Sequence, residues 1–238
     1  TLGRAIAGLV KPTSGEILYM GKNIRKMKRK EYREYRRNVQ IIHQDPFSSL
    51  NPTKTVFSTL AVPLKKWGIA RNRRELLEKV SELLELVGLH PPEEFLFKYP
   101  HQLSGGQRQR VVIARAISVK PQLIVADEPI TMIDVSLRIG ILDLMLDLQK
   151  KIGSSYLFIT HDFGAARYFA AKGGGLIAVM YLGNIVEVGP AEEVIHRPLH
   201  PYTKVLLSAV PVPDPEISRK KKPIKLKSLD IPSPINPP

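Results

Sequence analysis

The sequence of 238 residues contains no cysteine, which excludes disulfide bonds and thiolate metal sites among these residues. It also lacks an apolar run long enough to cross a bilayer, which takes roughly 20 residues. The longest stretch without a charged side chain is Gly173 to Val186, and four of its residues are glycine. The opening TLGRAIAGLVKP lacks the apolar core of a secretory signal. We therefore expect a cytosolic chain without a membrane span of its own.

Acidic side chains are scarce relative to basic ones. The chain has 22 Asp and Glu residues against 36 Lys and Arg residues, a net charge of +14. Such a surplus favours polyanions as partners: nucleic acid, nucleotides or an anionic membrane face. The bases concentrate in residues 22–37 and 219–227, where only Tyr32 and Tyr35 offer rings for base stacking. We interpret both clusters as solvated basic surfaces, and the second as a linker in preference to a membrane anchor.

The remaining composition, 43% hydrophobic and 24% charged, is ordinary for a globular protein. Strand and helix patterns alternate along the chain, which predicts an α/β fold with a mainly parallel sheet. Apolar runs predict strands over residues 15–20, 39–43, 123–126 and 155–160, and a hairpin over 177–181 and 184–189. Helical spacing predicts two helices within residues 53–88, the second over 74–88 and ended by Gly88, and further helices over 105–118 and 135–151. A charged surface helix is expected over 28–37, and two short helices fit 191–196 and 202–209.

Polar side chains follow three of these predicted strands. Gln44 follows the strand predicted over 39–43, and Asp127 and Glu128 follow the strand predicted over 123–126. His161 follows the strand predicted over 155–160. Because open parallel sheets bind ligands beyond the carboxyl ends of their strands, we expect one shared site. Asp127 is suited to holding Mg²⁺, and Glu128 to polarising an attacking water. An Asp-Glu-Pro turn and a structural histidine are the alternative interpretations.

A glycine-rich helix start lies about 20 residues before the Asp-Glu pair. Ser104, Gly105 and Gly106 would present a hydroxyl and unhindered backbone N–H groups to an anion. A simple helix cap is the alternative, but it leaves Gln107 and the arginine-rich helix that follows unexplained. We therefore predict a phosphate contact here.

These segments together resemble the motifs of ATP-binding-cassette (ABC) ATPases. LSGGQRQR (103–110) resembles the signature motif of that family, and LIVADE (123–128) resembles its Walker B strand. Gln44 matches the Q-loop, IDVS (133–136) the D-loop, and ITHD (159–162) the H-loop. Three further segments are similar to the oligopeptide/dipeptide importer subfamily, whose members energise uptake of peptides, nickel or oligosaccharides: HQDPFSSLNP (43–52), HPYTKVLLSAVP (200–211) and IPSPINPP (231–238).

The resemblance implies two nucleotide-binding domains arranged head to tail, with each ATP between the Walker motifs of one and the signature of the other. Asp127 and Gln44 would bind Mg²⁺, Glu128 would polarise the attacking water, and His161 would stabilise the transition state. Gln44 would also assist catalysis by touching the water. The ATP-binding residues would be Thr1, Ser104, Gly105, Gly106, Gln107 and Asp134.

The resemblance also implies an organisation and a set of partners. Residues 1–52 and 104–190 would form the P-loop NTPase-like ATPase core with a small antiparallel β part, residues 53–103 a helical subdomain, and residues 191–238 an importer-type extension. The partners would be a second nucleotide-binding subunit, identical or different, transmembrane permease subunits and, indirectly, a substrate-binding protein. No specific nucleic acid is expected. The chain would lie at the cytoplasmic face of the cell membrane.

One family motif is missing from these residues. The P-loop, G-x-x-x-x-G-K-[ST], does not occur, and Thr1 matches the residue that follows it in relatives. We interpret the chain as shortened at both ends and expect these residues alone to bind MgATP poorly and hydrolyse it negligibly. Lesser departures are Thr131-Met132-Ile133 before the D-loop aspartate and a predicted surface loop over 172–175. Two alternative functions are a non-transport ATPase acting on nucleic acid or ribosomes and a structural cassette without a phosphate cradle.

Overall fold

A parallel sheet lies at the centre of the first of two units in the computed structural model, which describes residues 1–209. Among the described residues, the units are Thr1–Thr160 and residues 161–209. The strands of the first unit are β1 (Leu18–Tyr19), β2 (Lys22–Asn23), β3 (Val39–Ile42), β4 (Leu123–Asp127) and β5 (Ser155–Ile159). Its α-helices are α1 (Leu2–Ile6), α2 (Arg29–Asn38), α3 (Pro46–Ser49), α4 (Val56–Lys66), α5 (Arg73–Leu86), α6 (Glu93–Leu96), α7 (Gly105–Ile117) and α8 (Val135–Ile152).

The parallel sheet has the order β3-β4-β5, and this confirms the α/β prediction. The central strand β4 buries Ile124, Val125 and Ala126 completely, because it has a neighbouring strand on each side and helices packed against it. The prediction of a buried strand over 155–160 is wrong in one respect. The side chains of β5 are half-buried or exposed, since among the described residues β5 lies at the edge of the sheet.

Helix α1 packs closely against the sheet, and a glycine makes this possible. A Cβ atom placed on Gly3 would lie 2.9 Å from both Val125 Cγ1 and Ile159 Cδ1, closer than carbon atoms approach in folded proteins. A side chain at this position would push α1 away from β4. Gly3 therefore holds the start of the chain close to the carboxyl end of β4.

The helices between β3 and β4 are defined by local capping. Thr55, Asn72 and Ser104 cap α4, α5 and α7, and each side chain accepts a hydrogen bond from the backbone three residues ahead. Helix α5 ends at Leu86, and Gly88 follows in the left-handed conformation at φ = 71°. The predicted helix stop at Gly88 is confirmed.

The interpretation of residues 22–37 as a solvated basic surface is wrong for part of α2. The guanidinium carbons of Arg33 and Arg37 lie 5.1 and 5.8 Å from the centre of the Trp67 ring. Tyr32 donates from its hydroxyl to the Gly8 carbonyl at 2.9 Å, and Tyr35 is buried. These side chains join α2 to α1 and α4, so neither tyrosine is available as a stacking platform.

The predicted strand over 15–20 is shorter than expected, because Gly21 turns the chain between β1 and β2.

The second unit is built on an antiparallel hairpin. Its elements are α9 (Phe163–Gly173), β6 (Leu176–Tyr181), β7 (Asn184–Pro190), α10 (Ala191–His196) and α11 (Pro201–Ala209). The hairpin prediction is confirmed, with Leu182 and Gly183 both at positive φ in its turn. The predicted loop over 172–175 is wrong in part, because Lys172 and Gly173 complete α9 and Gly174 caps it at φ = 66°. Glu187 accepts backbone hydrogen bonds from Leu199 at 2.8 Å and His200 at 3.1 Å, which holds the start of α11 on the hairpin.

The predicted linker beyond Pro211, the basic run 219–227 and the segment 231–238 lie outside the described residues. Within residues 1–209, no helix is both long enough and apolar enough to span a membrane.

The buried strand β4 should carry much of the stability of the first unit. We expect Ile124→Ala to lower the free energy of unfolding by about 2–5 kcal/mol, because Ile124 is fully buried and its truncation leaves a cavity. Urea denaturation followed by circular dichroism measures this. Leu18→Ala, at a side chain that is 61% exposed, is the matched control and should change stability by less than about 0.5 kcal/mol. Equal effects of the two substitutions would contradict the packing described here.

Candidate active site

The carboxyl ends of β3 and β4 bring two of the predicted catalytic residues into contact. Ile42 pairs with Ala126, so the residues after these two strands emerge at the same edge of the sheet. There, Gln44 Nε2 donates a hydrogen bond to Glu128 Oε2 at 3.0 Å, across 84 positions of sequence. Thr131 Oγ1 donates to the same oxygen, also at 3.0 Å. Two donors from different segments therefore orient the Glu128 carboxylate.

The backbone of Glu128 is also held in an unusual conformation. Its φ is +50°, in the left-handed region that residues other than glycine adopt only at a cost of about 1–3 kcal/mol. Pro129 follows, and a proline further restricts the residue before it. The Glu128 amide donates to the Ile159 carbonyl at 2.9 Å, which extends the pairing of β4 with β5 by one residue. The sheet thus fixes where the carboxylate leaves the backbone, and the side-chain donors fix where it points.

Asp127, the last residue of β4, lies beside the start of the chain. A Cβ atom on Gly3 would be 4.0 Å from the Asp127 carboxyl carbon. Thr1 caps α1, and its carbonyl accepts a hydrogen bond from the Ala5 amide at 3.0 Å. The structure therefore brings the first turn of α1 to the same sheet edge as Asp127, Glu128 and Gln44.

A histidine next to Gln44 contributes no positive charge to this edge at neutral pH. Burial and the Arg115 guanidinium both lower the pKa of His43, and the Asp127 carboxylate opposes them only in part. His43 is therefore mainly neutral at pH 7.

The glycine-rich residues form a second group at the start of α7. Ser104 Oγ accepts from the Gln107 amide at 3.3 Å, and Gln107 Oε1 accepts from the Ser104 amide at 3.0 Å, which is a reciprocal capping box. A Cβ on Gly106 would be 3.3 Å from Leu137 Cδ1, and one on Gly105 would be 3.8 Å from the Met132 carbonyl. The start of α7 therefore lies against the segment that leads into α8.

Two further predicted site residues, Asp134 and His161, are exposed. Asp134 caps α8, but its side chain makes no capping hydrogen bond. His161 is the first residue of the second unit. The proposed roles of both residues stay predictions.

Comparison with known proteins identifies the chain. The family model described as ABC transporter matches residues 1–131, more than half of the sequence. The chain belongs to the ABC transporter family. A second model, described as Oligopeptide/dipeptide transporter, C-terminal region, matches residues 186–232. The family recognised from the motifs is therefore confirmed.

Curated relatives of this ABC cassette match it along all or nearly all of its length. It is 44% identical over 238 residues to the Oligopeptide transport ATP-binding protein OppF of Salmonella typhimurium, covering 100% of this chain and 69% of that protein. It is 47% identical over 226 residues to the Dipeptide transport ATP-binding protein DppF of Lactococcus lactis, covering 94% of this chain and 70% of that protein. The chain is thus similar throughout to ATP-binding subunits of peptide transporters.

Solved structures of other cassettes share its fold. One is a dimeric post-hydrolysis state of the ATP-binding cassette MJ0796 bound to ADP and Pi, with a TM-score of 0.67 and 29% identity over 80% of this chain and 79% of that one. Another is cbiO1 from Clostridium perfringens, part of the ABC transporter complex cbiONQ, with a TM-score of 0.69 and 26% identity over 82% of this chain and 74% of that one. These likenesses confirm the predicted fold class.

The strand-end residues of this cassette suit a magnesium ion that arrives with a nucleotide. Among residues 1–209 no group of three or more His, Cys, Asp or Glu side chains could hold a metal ion. Mg²⁺, however, is usually bound by one or two carboxylates together with substrate phosphates and water. The Asp127 carboxylate and the Gln44 amide oxygen are hard donors of the required kind.

The motif spacing assigned no role at the site to Thr131, Arg108 or Arg115. Thr131 lies in a segment noted only as a departure from the family, yet its hydroxyl binds Glu128. Arg108 and Arg115 belong to the arginine-rich helix α7, and both contact the segment after Gln44. The contact of Thr131 with Glu128 depends on the three-dimensional fold and not on motif spacing.

Proposed function

We propose that this chain is the ATP-hydrolysing subunit of an importer for oligopeptides or dipeptides. The hydrogen bond between Gln44 Nε2 and Glu128 Oε2, 3.0 Å long, is the observation that carries the catalytic part of the proposal. The names of the relatives and the C-terminal family match over residues 186–232 support the cargo class. Nickel and oligosaccharides, other cargoes of the subfamily, have no such support here.

In this proposal Glu128 acts as the general base for ATP hydrolysis. Its carboxylate orients the attacking water and accepts a proton from it as the water oxygen bonds to the γ-phosphorus, while the bond from the γ-phosphorus to the β–γ bridging oxygen breaks and ADP leaves. Gln44 and Thr131 keep the carboxylate in place by donating to Oε2. His161 is proposed to contact the γ-phosphate and stabilise the charge that develops there.

Asp127 and Gln44 are proposed to hold Mg²⁺. The ion would neutralise charge on the β- and γ-phosphates. Asp127 would supply a carboxylate oxygen, and Gln44 would supply Oε1 while its Nε2 donates to Glu128. Thr1 would approach the phosphates from the start of α1.

The start of α7 and the segment 132–139 are proposed to face a second nucleotide-binding subunit. Ser104, Gly105, Gly106 and Gln107 would contact the nucleotide held by that subunit, and Asp134 would lie at the seam. An apolar patch surrounds Asp134, with Met132, Val135 and Ile139 at least half exposed. Exposed apolar patches of this kind mark protein interfaces, which supports the proposal. Whether the second subunit is an identical chain is left to experiment.

The helical subdomain, residues 53–103, is proposed to dock on the transmembrane permease subunits. Residues 1–52 and 104–190 would form the ATPase core on either side of it in the sequence. A groove of about 380 Å³ borders α4 and supports this assignment. Its lining includes apolar side chains of α4 and four basic side chains, with no acidic one: Arg36, Lys54, Lys66 and Arg115. Residues 191–238 form the importer-type extension. The chain would act at the cytoplasmic face of the membrane, and a substrate-binding protein would deliver the peptide.

The proposed function predicts hydrolysis that responds to peptide. The full-length chain, assembled with its membrane subunits in proteoliposomes, should release phosphate from MgATP faster when a peptide-loaded binding protein is added. Stimulation by RNA or ribosomes instead of peptide would favour the non-transport alternative.

Residues 1–238 alone should be a poor ATPase. They contain no P-loop, so the lysine and the backbone amides that neutralise the β- and γ-phosphates are not among them. We expect phosphate release from MgATP to be indistinguishable from buffer. The control is a longer chain in which a G-x-x-x-x-G-K-[ST] segment precedes Thr1. Turnover by residues 1–238 at the rate of that longer chain would show that this account of the phosphate site is wrong.

A further inference from the structure

Gln44 leads directly into α3, a helix of one turn. Its N-cap, Asp45, accepts a hydrogen bond from the Phe47 amide at 2.7 Å, and Ser49 Oγ donates to the Asp45 carbonyl at 2.6 Å. These bonds close the turn on itself within five residues. Because Gln44 is covalently joined to Asp45, any displacement of α3 also displaces Gln44.

Two arginines of α7 hold α3 from two sides. Arg115 Nη1 donates to the Ser49 carbonyl at 2.6 Å, at a helix end where carbonyls lack intrahelical partners. The Arg108 guanidinium carbon lies 4.0 Å from the centre of the Phe47 ring, within the range of a cation–π contact. The arginines are seven residues apart, so they lie two turns apart on the same face of α7.

Charge pairing does not account for Arg115. The side chain is half-buried, burial lowers the pKa of its guanidinium, and it forms no ion pair within the part of the chain that the structure describes. Burying a charge without a carboxylate partner is unfavourable. An apolar side chain would fill this space without that cost. Within the described residues, the hydrogen bond to the Ser49 carbonyl is the polar contact that the guanidinium makes.

We propose that Arg108 and Arg115 are positioning residues that hold the Gln44 amide within hydrogen-bond distance of Glu128. The connection runs from α7 through α3 to Gln44, and from Gln44 Nε2 to Glu128 Oε2. The inference rests on the proposed function, in which Glu128 orients the attacking water. Helix α7 begins next to Ser104, so the two arginines also join Gln44 to the signature residues. In the proposed arrangement, Gln44 serves one nucleotide and the signature residues serve the nucleotide held by the second subunit.

A double-mutant cycle on kcat tests this proposal in the full-length chain, assembled with its membrane subunits. Arg115→Met should lower kcat about tenfold, because small displacements of groups near reacting atoms are costly. It should leave KM for ATP within about twofold, since Arg115 is assigned no contact with the nucleotide. In the Gln44→Ala variant, Arg115→Met should lower kcat by less than about twofold, because no amide remains to be positioned.

Arg110→Met is the matched control. Arg110 lies on the same helix and is also half-buried, but it donates to the Val87 carbonyl at 2.5 Å and so holds α5 instead of α3. Its effect on kcat should be the same with Gln44 and with Gln44→Ala. Thermal unfolding of both variants separates lost stability from lost positioning.

Two further variants keep the test decisive if Arg115→Met fails to fold. Arg115→Lys retains one donor for Ser49 and should recover part of the lost kcat, and Arg108→Met should show the same dependence on Gln44. If each arginine substitution lowers kcat by the same factor with Gln44 as with Gln44→Ala, this inference is wrong and the proposed function is unaffected. A wild-type assembly that hydrolyses no ATP would instead contradict the proposed function.

Discussion

Replacing Glu128 with glutamine should lower kcat for ATP hydrolysis by about 10²- to 10⁴-fold, the usual contribution of a general base. An amide cannot accept the proton that the attacking water gives up. Its oxygen can still accept from Gln44 and Thr131, and the left-handed backbone of residue 128 is unchanged, so the local structure should survive. Phosphate release at saturating MgATP by the full-length chain with its membrane subunits measures kcat, and retention of labelled nucleotide reports binding.

The control for this substitution is Glu85→Gln, which removes the same charge from an exposed position on α5. It should leave kcat unchanged. We expect Glu128→Gln to bind ATP as tightly as the unmodified chain while turning it over far more slowly. Turnover within about threefold of the unmodified chain would remove Glu128 from the role of general base.

Replacing Ser104 with aspartate should lower ATP hydrolysis at least about 100-fold without lowering stability. Aspartate caps helices as well as serine does, and a negative charge at the start of α7 is favourable for the helix itself. The same charge would repel the γ-phosphate of a nucleotide bound by the second subunit. The substitution therefore separates a capping role, which it preserves, from a phosphate contact, which it destroys.

Ser104→Asn provides the comparison, because asparagine also caps helices but carries no charge. It should retain much more activity than Ser104→Asp at a similar melting temperature. If both variants hydrolyse ATP at the rate of the unmodified chain, Ser104 serves only as the cap that the structure shows and does not contact a nucleotide.

The sequence was sufficient to predict the regular elements because their signals are local. Helix α7 was expected over 105–118 and spans Gly105–Ile117, and β4 was expected over 123–126 and spans Leu123–Asp127. Helices α1, α3 and α6 were not predicted, since helices of about one turn are too short for apolar periodicity. The burial of β5 was overestimated because apolar composition does not report whether a strand has neighbours on both sides.

The site could be predicted as a set of residues but not as an arrangement. Strand ends and spacing indicated Gln44, Asp127 and Glu128, because the carboxyl ends of parallel strands meet at one edge. The contact of Thr131 with Glu128 and that of Arg115 with Ser49 depend on tertiary packing. Likewise, nothing in the basic run 22–37 indicated that Arg33 and Arg37 would pack on Trp67 from a different helix.

The most direct test of the account is transport itself. The full-length chain should be assembled with its membrane subunits and a second cassette in proteoliposomes. MgATP is placed on the side of the membrane that holds the cassettes. A labelled peptide and its binding protein are placed on the opposite side. We predict that peptide accumulates on the cassette side, and that Glu128→Gln abolishes this accumulation while the assembly still forms. ATP hydrolysis that proceeds without any movement of peptide, or peptide movement that is unaffected by Glu128→Gln, would contradict the account.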